Sequence, residues 1–388
     1  MMEYRLDELF DLQMGKTPSR NNPEYWNSED HKWISIGDLS KCGKYILDTK
    51  EYLSDTAVQE SGISCIPANT VIMSFKLSIG KTAITKEPIY SNEAIMSFRD
   101  KHIVELLPDY IFYMFTGKDW EAGTNKAVMG KTLNKATLSA IKVSIHPISE
   151  QRRIVEVLDK SSSIIEDRQR ELTRLDELIR ARFVEMFGDP VLNEKEWQTK
   201  ALEDACKSIV DCPHSTPSYT SEDTGFMCIR TSIVKKNRIM WEEIEYIPEE
   251  EYKQRTQRKK PEKGDVIYTR EGAILGIAAV IDKDCNVALG QRSMLLSPDR
   301  TFCTPEFISV AMNFDSFLDN ALKGMSGSAS PHINVGDIKA FKMILPPIAQ
   351  QEAFSTFVAQ VDKSKAVVQK SLDKMQLLFD SLMQQYFG

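Results

Sequence analysis

What this sequence has little of narrows the reading first. No apolar run approaches the ~18 to 20 residues of a membrane span, so no transmembrane helix is expected. The opening residues, Met1-Met2-Glu3-Tyr4-Arg5-Leu6-Asp7, are acidic and mixed, without the basic-then-apolar form of a signal peptide. Seven cysteines, Cys42, Cys65, Cys206, Cys212, Cys228, Cys285 and Cys303, are an odd number and form no C-x-x-C pair. That argues against a disulfide or zinc scaffold and for a reducing cytoplasm. Five histidines lie scattered without H-E-x-x-H spacing, so no metal site is expected. An excess of basic charge is missing too: the net charge is −7, which disfavours contacts to phosphate.

Catalytic loops are also absent. Gly-Lys-Thr occurs at 15–17, 80–82 and 130–132, but a phosphate-cradling loop needs a glycine five positions before the Gly of that triplet. Those positions hold Phe10, Phe75 and Asn125. Asn22-Pro23-Glu24-Tyr25 departs from the N-P-P-Y tetrapeptide of amino-methyltransferases at its third residue, and no glycine-rich cofactor loop precedes it. Asp265 and Glu271 read more simply as a turn residue opening a strand and a polar residue closing it. The chain offers no enzyme active site.

What is present is a repeat. Pro147-Ile148-x-x-Gln151 opens one helical stretch and Pro347-Ile348-x-x-Gln351 another, 200 residues later. Phe187-Gly188 closes the first and Phe387-Gly388 the second; Asn134 and Asn334, Leu133 and Ile333 keep the same offset. A period this long denotes a duplicated domain with a duplicated helix, not a solenoid unit. With 388 residues, 42% hydrophobic and 27% charged, the chain has the composition of an ordinary globular protein and room for two to four domains. A protein of two similar halves suits a ligand with two halves, such as duplex DNA carrying a split site.

The stripe Ile154, Leu158, Ile165, Leu172, Leu175, Ile179, Met186 predicts one long helix over 148–188. Phe354, Val358, Val361, Val368, Leu372, Met375, Phe379, Leu382 and Tyr386 predict its counterpart over 348–388. Each would be a rod of ~60 Å, and the expectation is that the two stripes bury each other as an antiparallel coiled coil. The pairing positions are Leu158, Ile165, Leu172, Leu175 and Ile179 against Val358, Val361, Val368, Leu372, Met375 and Phe379. The alternative is two separate core helices. Lys365 interrupts the second stripe opposite Ile165. Residues 1–147 and 189–347 carry short β-like runs punctuated by turns and read as two mixed α/β domains sharing one internal pseudo-twofold arrangement.

The segments Gly15-Lys16-Thr17-Pro18-Ser19-Arg20, Asn22-Pro23-Glu24-Tyr25-Trp26 and Trp33-Ile34-Ser35-Ile36-Gly37-Asp38-Leu39 resemble a target recognition domain of a type I restriction–modification specificity subunit. So do Gly264-Asp265-Val266-Ile267-Tyr268-Thr269-Arg270-Glu271-Gly272, Leu289-Gly290-Gln291-Arg292 and Pro331-His332-Ile333-Asn334-Val335 in the second half. Pro346-Pro347-Ile348 with Gln350-Gln351 is similar to the family's second spacer, whereas His146 stands where the family often has another proline. The resemblance spans essentially the whole chain. It implies recognition domains at 1–147 and 189–347, conserved spacer helices at 148–188 and 348–388, and a non-catalytic reader of a bipartite site in double-stranded DNA. It further implies two methyltransferase subunits that methylate adenine, and two restriction (motor-nuclease) subunits for ATP-dependent cleavage. S-adenosylmethionine, ATP and Mg would then bind those partners and not this chain. A reader for a methylation-only complex and a coiled-coil adaptor without DNA are the rival expectations.

Base readout needs polar side chains on loops. The candidates are Lys16, Thr17, Ser19, Arg20, Lys76 and Asn134 in the first domain. In the second they are Ser215, Thr216, Arg230, Arg270, Gln291, Arg292, Ser328, His332 and Asn334. For Thr17, Ser19 and Thr216, turn formation is an equally good reading. A basic run from Lys253 to Lys263 follows six glutamates, Glu242 to Glu251, and reads most simply as a neutralised, solvated face; within it Lys259 and Lys260 are the candidates for phosphate contact.

Overall fold

The computed structural model describes the chain apart from Leu77, residues 121–132, Ala273 and residues 324–331. Ser328 and the third Gly-Lys-Thr triplet therefore lie outside the described residues. The chain divides into two compact units, one of residues 1–169 with 371–388 and the other of residues 170–370. Each long helix is thus shared between the units.

In the first unit a five-stranded sheet runs in the order Phe10–Met14, Ile95–Asp100, Val71–Ser74, Thr82–Thr85, Tyr45–Ile46. A three-stranded sheet places His31–Ile34 between Glu51–Leu53 and Tyr90–Ser91, the last pairing being parallel. Met2–Arg5 and Lys142–Ile145 form a separate antiparallel ribbon. Val71–Ser74 is buried at all four positions, as a central strand covered on both faces must be. Helix Pro108–Gly117 starts on a proline whose missing N–H costs nothing in the first turn, and buries Tyr110, Ile111, Tyr113, Met114 and Phe115.

The second unit repeats this plan. Its four-stranded sheet runs Cys206–Asp211, Ser293–Pro298, Val266–Thr269, Ala278–Val280. Met227–Ile229 lies between Glu245–Tyr246 and a parallel Val287–Leu289, and Thr199–Ala201 pairs with Lys342–Ile344. Helix Pro305–Met312, capped by the Thr304 hydroxyl, takes the role of Pro108–Gly117.

Both long helices hold 40 residues, Ile148–Phe187 and Ile348–Phe387. Gly188 closes the first in the left-handed region at φ 78°. At each N-terminal end a fully buried glutamine fixes the start. The Gln151 carboxamide accepts from Leu107 N (3.0 Å) and donates to the carbonyls of Glu105 and His146 (both 2.9 Å). Gln351 accepts from Thr304 N (3.1 Å) and donates to Phe302 O (3.0 Å) and Pro346 O (2.8 Å).

The helix segments run antiparallel within each unit. In the second unit the rings of Phe183 and Phe187 lie 5.5 and 5.6 Å from that of Phe354, while Asp176 meets Lys365 at 2.6 Å. In the first unit Ile154 and Leu158 share a core with Met383. The stripes do more than bury one another. Ile154 and Leu158 also join the core under the five-stranded sheet, and Ile179, Phe183, Phe187, Phe354, Val358 and Val361 join Val266, Tyr268 and Phe307. Phenylalanines are too bulky for a two-stranded seam alone, so they reach into the neighbouring sheet. Leu158, Ile165, Ile179, Val358, Val361 and Val368 are buried; Leu172, Leu175, Leu372, Met375 and Phe379 are half-buried. Among the described residues, no helix is long and apolar enough to cross a membrane.

Candidate nucleic-acid interface

The same backbone frame holds the candidate loops in both units. Phe75 N donates to Ala94 O (3.0 Å), and Arg270 N donates to Arg292 O (3.0 Å). Leu133 N donates to Phe75 O (3.2 Å), and Ile333 N to Arg270 O (2.9 Å). Asn92 N donates to Ile34 O (3.0 Å), and Gly290 N to Ile229 O (2.9 Å). Strand registers agree, with Ser74 facing Ile95 and Thr269 facing Ser293. One strand over, Met14 faces Met96 where Asp211 faces Met294. The frame therefore pairs Phe75 with Arg270, Met14 with Asp211, Glu93 with Gln291 and Ala94 with Arg292 as equivalent positions. Scaffold is shared, and side-chain chemistry differs.

In the first unit Gly15 abuts Ser91 and Asn92 so closely that no Cβ fits, and Lys16 N donates to Ser91 O (2.8 Å). The Lys16 ammonium reaches Ser61 O (2.5 Å), the Thr17 hydroxyl donates to Glu93, and Ser19 offers its carbonyl to Trp26 Nε1 (3.1 Å) while its hydroxyl is exposed. The Arg20 guanidinium lies 3.7 Å from the Trp26 ring centroid and forks onto Glu51. Its pKa is raised above the ordinary value chiefly by that hydrogen bond. Lys76 is half-buried over Phe75. Asn134 N-caps helix Lys135–Ser139, accepting from Thr137 N (2.8 Å).

The second unit shows which candidates are already committed. Arg270 has a side chain only 6% exposed, donating from Nε to Asp211 (3.0 Å) and from Nη2 to its other oxygen (3.3 Å), with Glu271 at 2.7 Å from Nη1. Its donors are spent inside the protein, so it serves the fold rather than a base edge. Arg230 pairs with Glu245 (3.2 Å) beside the Tyr219 ring. Asn334 opens helix Val335–Lys339 with its amide on Asp337 (3.1 Å). Lys259 meets Glu262 (2.9 Å) and Asp265 (3.7 Å), and Lys260 reaches Asn286 (3.3 Å). His332 is exposed and bridges Glu271 through the backbone; Ser215 and Thr216 are exposed.

Two residues outside the sequence-based candidates organise the second loop. Buried Arg255 donates to Ser215 O (2.9 Å) and to Glu251 (2.9 Å), and Glu251 accepts from Ser218 N (3.0 Å). Desolvation raises the Glu251 pKa, but the Ser218 amide and Arg255 outweigh it and hold the carboxyl below its ordinary value. The Glu-x-x-x-Arg spacing within Glu249–Arg255 was the available signal, but it merges into the surrounding run of charge.

Arg292 is different. It is exposed, and among the described residues its side chain has no hydrogen bond or ion pair. Its φ of 70° places a non-glycine residue in the left-handed region, at a cost of roughly 1–2 kcal/mol. Of the six non-glycine residues there among the described residues, three are asparagines, which tolerate it; Arg292 shares the distinction with His102 and Glu196. Burial pushes the Cys228 and Cys303 thiols up to about 12, so neither supplies a thiolate nucleophile.

The model of the type I restriction modification DNA specificity domain matches residues 1–174 and 194–376. The chain is 22% identical over 403 residues to the type I restriction enzyme MjaIX specificity subunit of Methanocaldococcus jannaschii, covering 98% of this chain and 90% of that protein. It is 28% identical over 193 residues to the HindI specificity subunit of Haemophilus influenzae, covering 46% of this chain and 40% of the other. Among solved structures, the type I restriction–modification S subunit from M. genitalium superposes with a TM-score of 0.56 at 13% identity, over 100% of this chain and 96% of that one. A chain from work on complex assembly and conformational transition of the type I R-M system gives 0.55 at 16% identity, over 100% and 97%. At these identities the superpositions establish the fold alone.

Proposed function

The chain belongs to the type I restriction–modification DNA specificity family, and from that premise we propose that it reads a bipartite DNA site, one half-site to each unit. The observation that carries this reading is the doubled backbone frame with unlike side chains at the loop between the paired strands: Glu93 against Gln291, and buried Ala94 against exposed Arg292. Two copies of a structural domain under no demand but stability would gain nothing from varying exposed polar loop residues on an unvaried frame. Readers of two different half-sites must vary them.

In this reading the chain contributes recognition and no chemistry. Two methyltransferase subunits would flip and methylate adenines with S-adenosylmethionine, and two motor-nuclease subunits would add cleavage driven by ATP with Mg. An acidic chain grips phosphate weakly, which fits DNA being held jointly with those partners. The test is long-read sequencing of methylated adenines in the host genome, with and without the gene. Loss of methylation at one split motif on deletion is the expected result. Unchanged methylation at every motif in a host that expresses the protein would refute the reading.

A further inference from the structure

We propose that Arg292 is the side chain through which the second unit reads a guanine in its half-site; the inference rests on the reading of the chain as a bipartite DNA reader. Three other arginines of this unit are already engaged: Arg230 by Glu245, helical Arg255 by Glu251 and the Ser215 carbonyl, Arg270 by Asp211 and Glu271. Arg292 is exposed and free of such partners among the described residues. Arginine presents a fixed fork of donors, and the O6/N7 edge of guanine in the major groove is its commonest specific partner.

The backbone argues the same way. Arg292 holds φ 70° although a glycine would adopt it without strain, and its equivalent in the first unit is Ala94. The turn is pinned on both sides, by Gly290 N on Ile229 O (2.9 Å) and by Arg270 N on Arg292 O (3.0 Å). Gly290 packs so tightly that a Cβ there would stand 3.0 Å from Ile229 O and from the Tyr219 hydroxyl. Beside the guanidinium lies Gly272, where a Cβ would come within 3.5 Å of Nη1, so the side chain's room there depends on the glycine. A pinned turn that carries a strained arginine with no side-chain partner among the described residues is pre-organised for a ligand rather than for stability.

The test uses the full complex, purified with its partner subunits from a host carrying Arg292→Ala, Arg292→Lys or Arg292→Gly. The substrates are duplexes bearing the wild-type motif and every single-base change in it. The glycine variant removes the side chain while suiting the backbone, so folding cannot decide the outcome. The expected result is a fall in discrimination against non-guanine bases at one position of one half-site by about 5- to 150-fold, with the other half-site still discriminated as before. The lysine variant should fall in between, since a point charge cannot fork onto two acceptors. Wild-type discrimination at every position, or slowing by the same factor on all duplexes, would overturn the assignment and leave the bipartite reading standing. If the wild-type gene restores no motif to a deletion strain, both fail together.

Discussion

Arg270 and Asp211, 59 positions apart in sequence, form a two-point ion pair across the intervening strand Ser293–Pro298, at positions whose equivalents in the first unit are Phe75 and Met14. One frame thus accepts two charged residues or two apolar ones at these positions. Arg270→Ala leaves the Asp211 carboxylate, 16% exposed, with only the exposed His214 ring at 3.1 Å among the described residues, and should cost up to about 3 kcal/mol. The joint replacement Arg270→Phe with Asp211→Met should recover that loss or exceed it, since apolar substitutes for buried pairs are often neutral or better. Urea denaturation of the two variants decides it; a double variant no more stable than Arg270→Ala would show that the pair does more than fill its site.

The buried amides of Gln151 and Gln351 each tie three backbone groups to the start of a long helix. Gln151→Leu or Gln351→Leu strands one amide donor and two carbonyl acceptors, at about 1–3 kcal/mol for each group left dry. Lower melting temperatures are expected for both, with faster amide exchange at Leu107 and Thr304 respectively. Unchanged exchange at those amides would contradict the argument.

Acid should loosen the 215–218 loop through Glu251. Its folded-state pKa lies below the ordinary value, so the stability it contributes is present above the unfolded value of about 4.3 and is lost as pH falls through the folded one. Glu251→Gln should therefore lie below wild type in stability by a constant amount near neutrality. The gap should close as pH drops below about 4.3. A pH-independent difference would mean that the carboxylate charge is not what holds Ser218 and Arg255.

Lys260 and Lys259 should not contribute equally to DNA binding. Lys259 is engaged with Glu262 and Asp265, whereas Lys260 is exposed and, among the described residues, hydrogen-bonds only the Asn286 amide. If Lys260 touches phosphate, Lys260→Ala should lower the slope of log affinity against log salt by ~0.9, with no change in motif. Lys259→Ala should change it less. Equal effects from the two would show that the ion pair around Lys259 opens on binding.

The repeat and both long helices were legible in the residues alone. Those signals are local or periodic: Pro147 and Gly188 bound a helix, and an apolar stripe persists because side chains three and four apart share a face. Lys365 looked like a flaw in that stripe, and its partner Asp176 could not be named without knowing which helix segments meet. Asn134 and Asn334 keep the same offset because each stands at the N-cap position of a short helix, although only Asn134 accepts a backbone amide there while Asn334 donates to Asp337. Arg270 and Arg292 were indistinguishable as letters. Only the tertiary structure separated them, because whether a charge is spent depends on a carboxylate brought up from a distant strand, while the backbone twist that isolates Arg292 is imposed by the strands on either side of it.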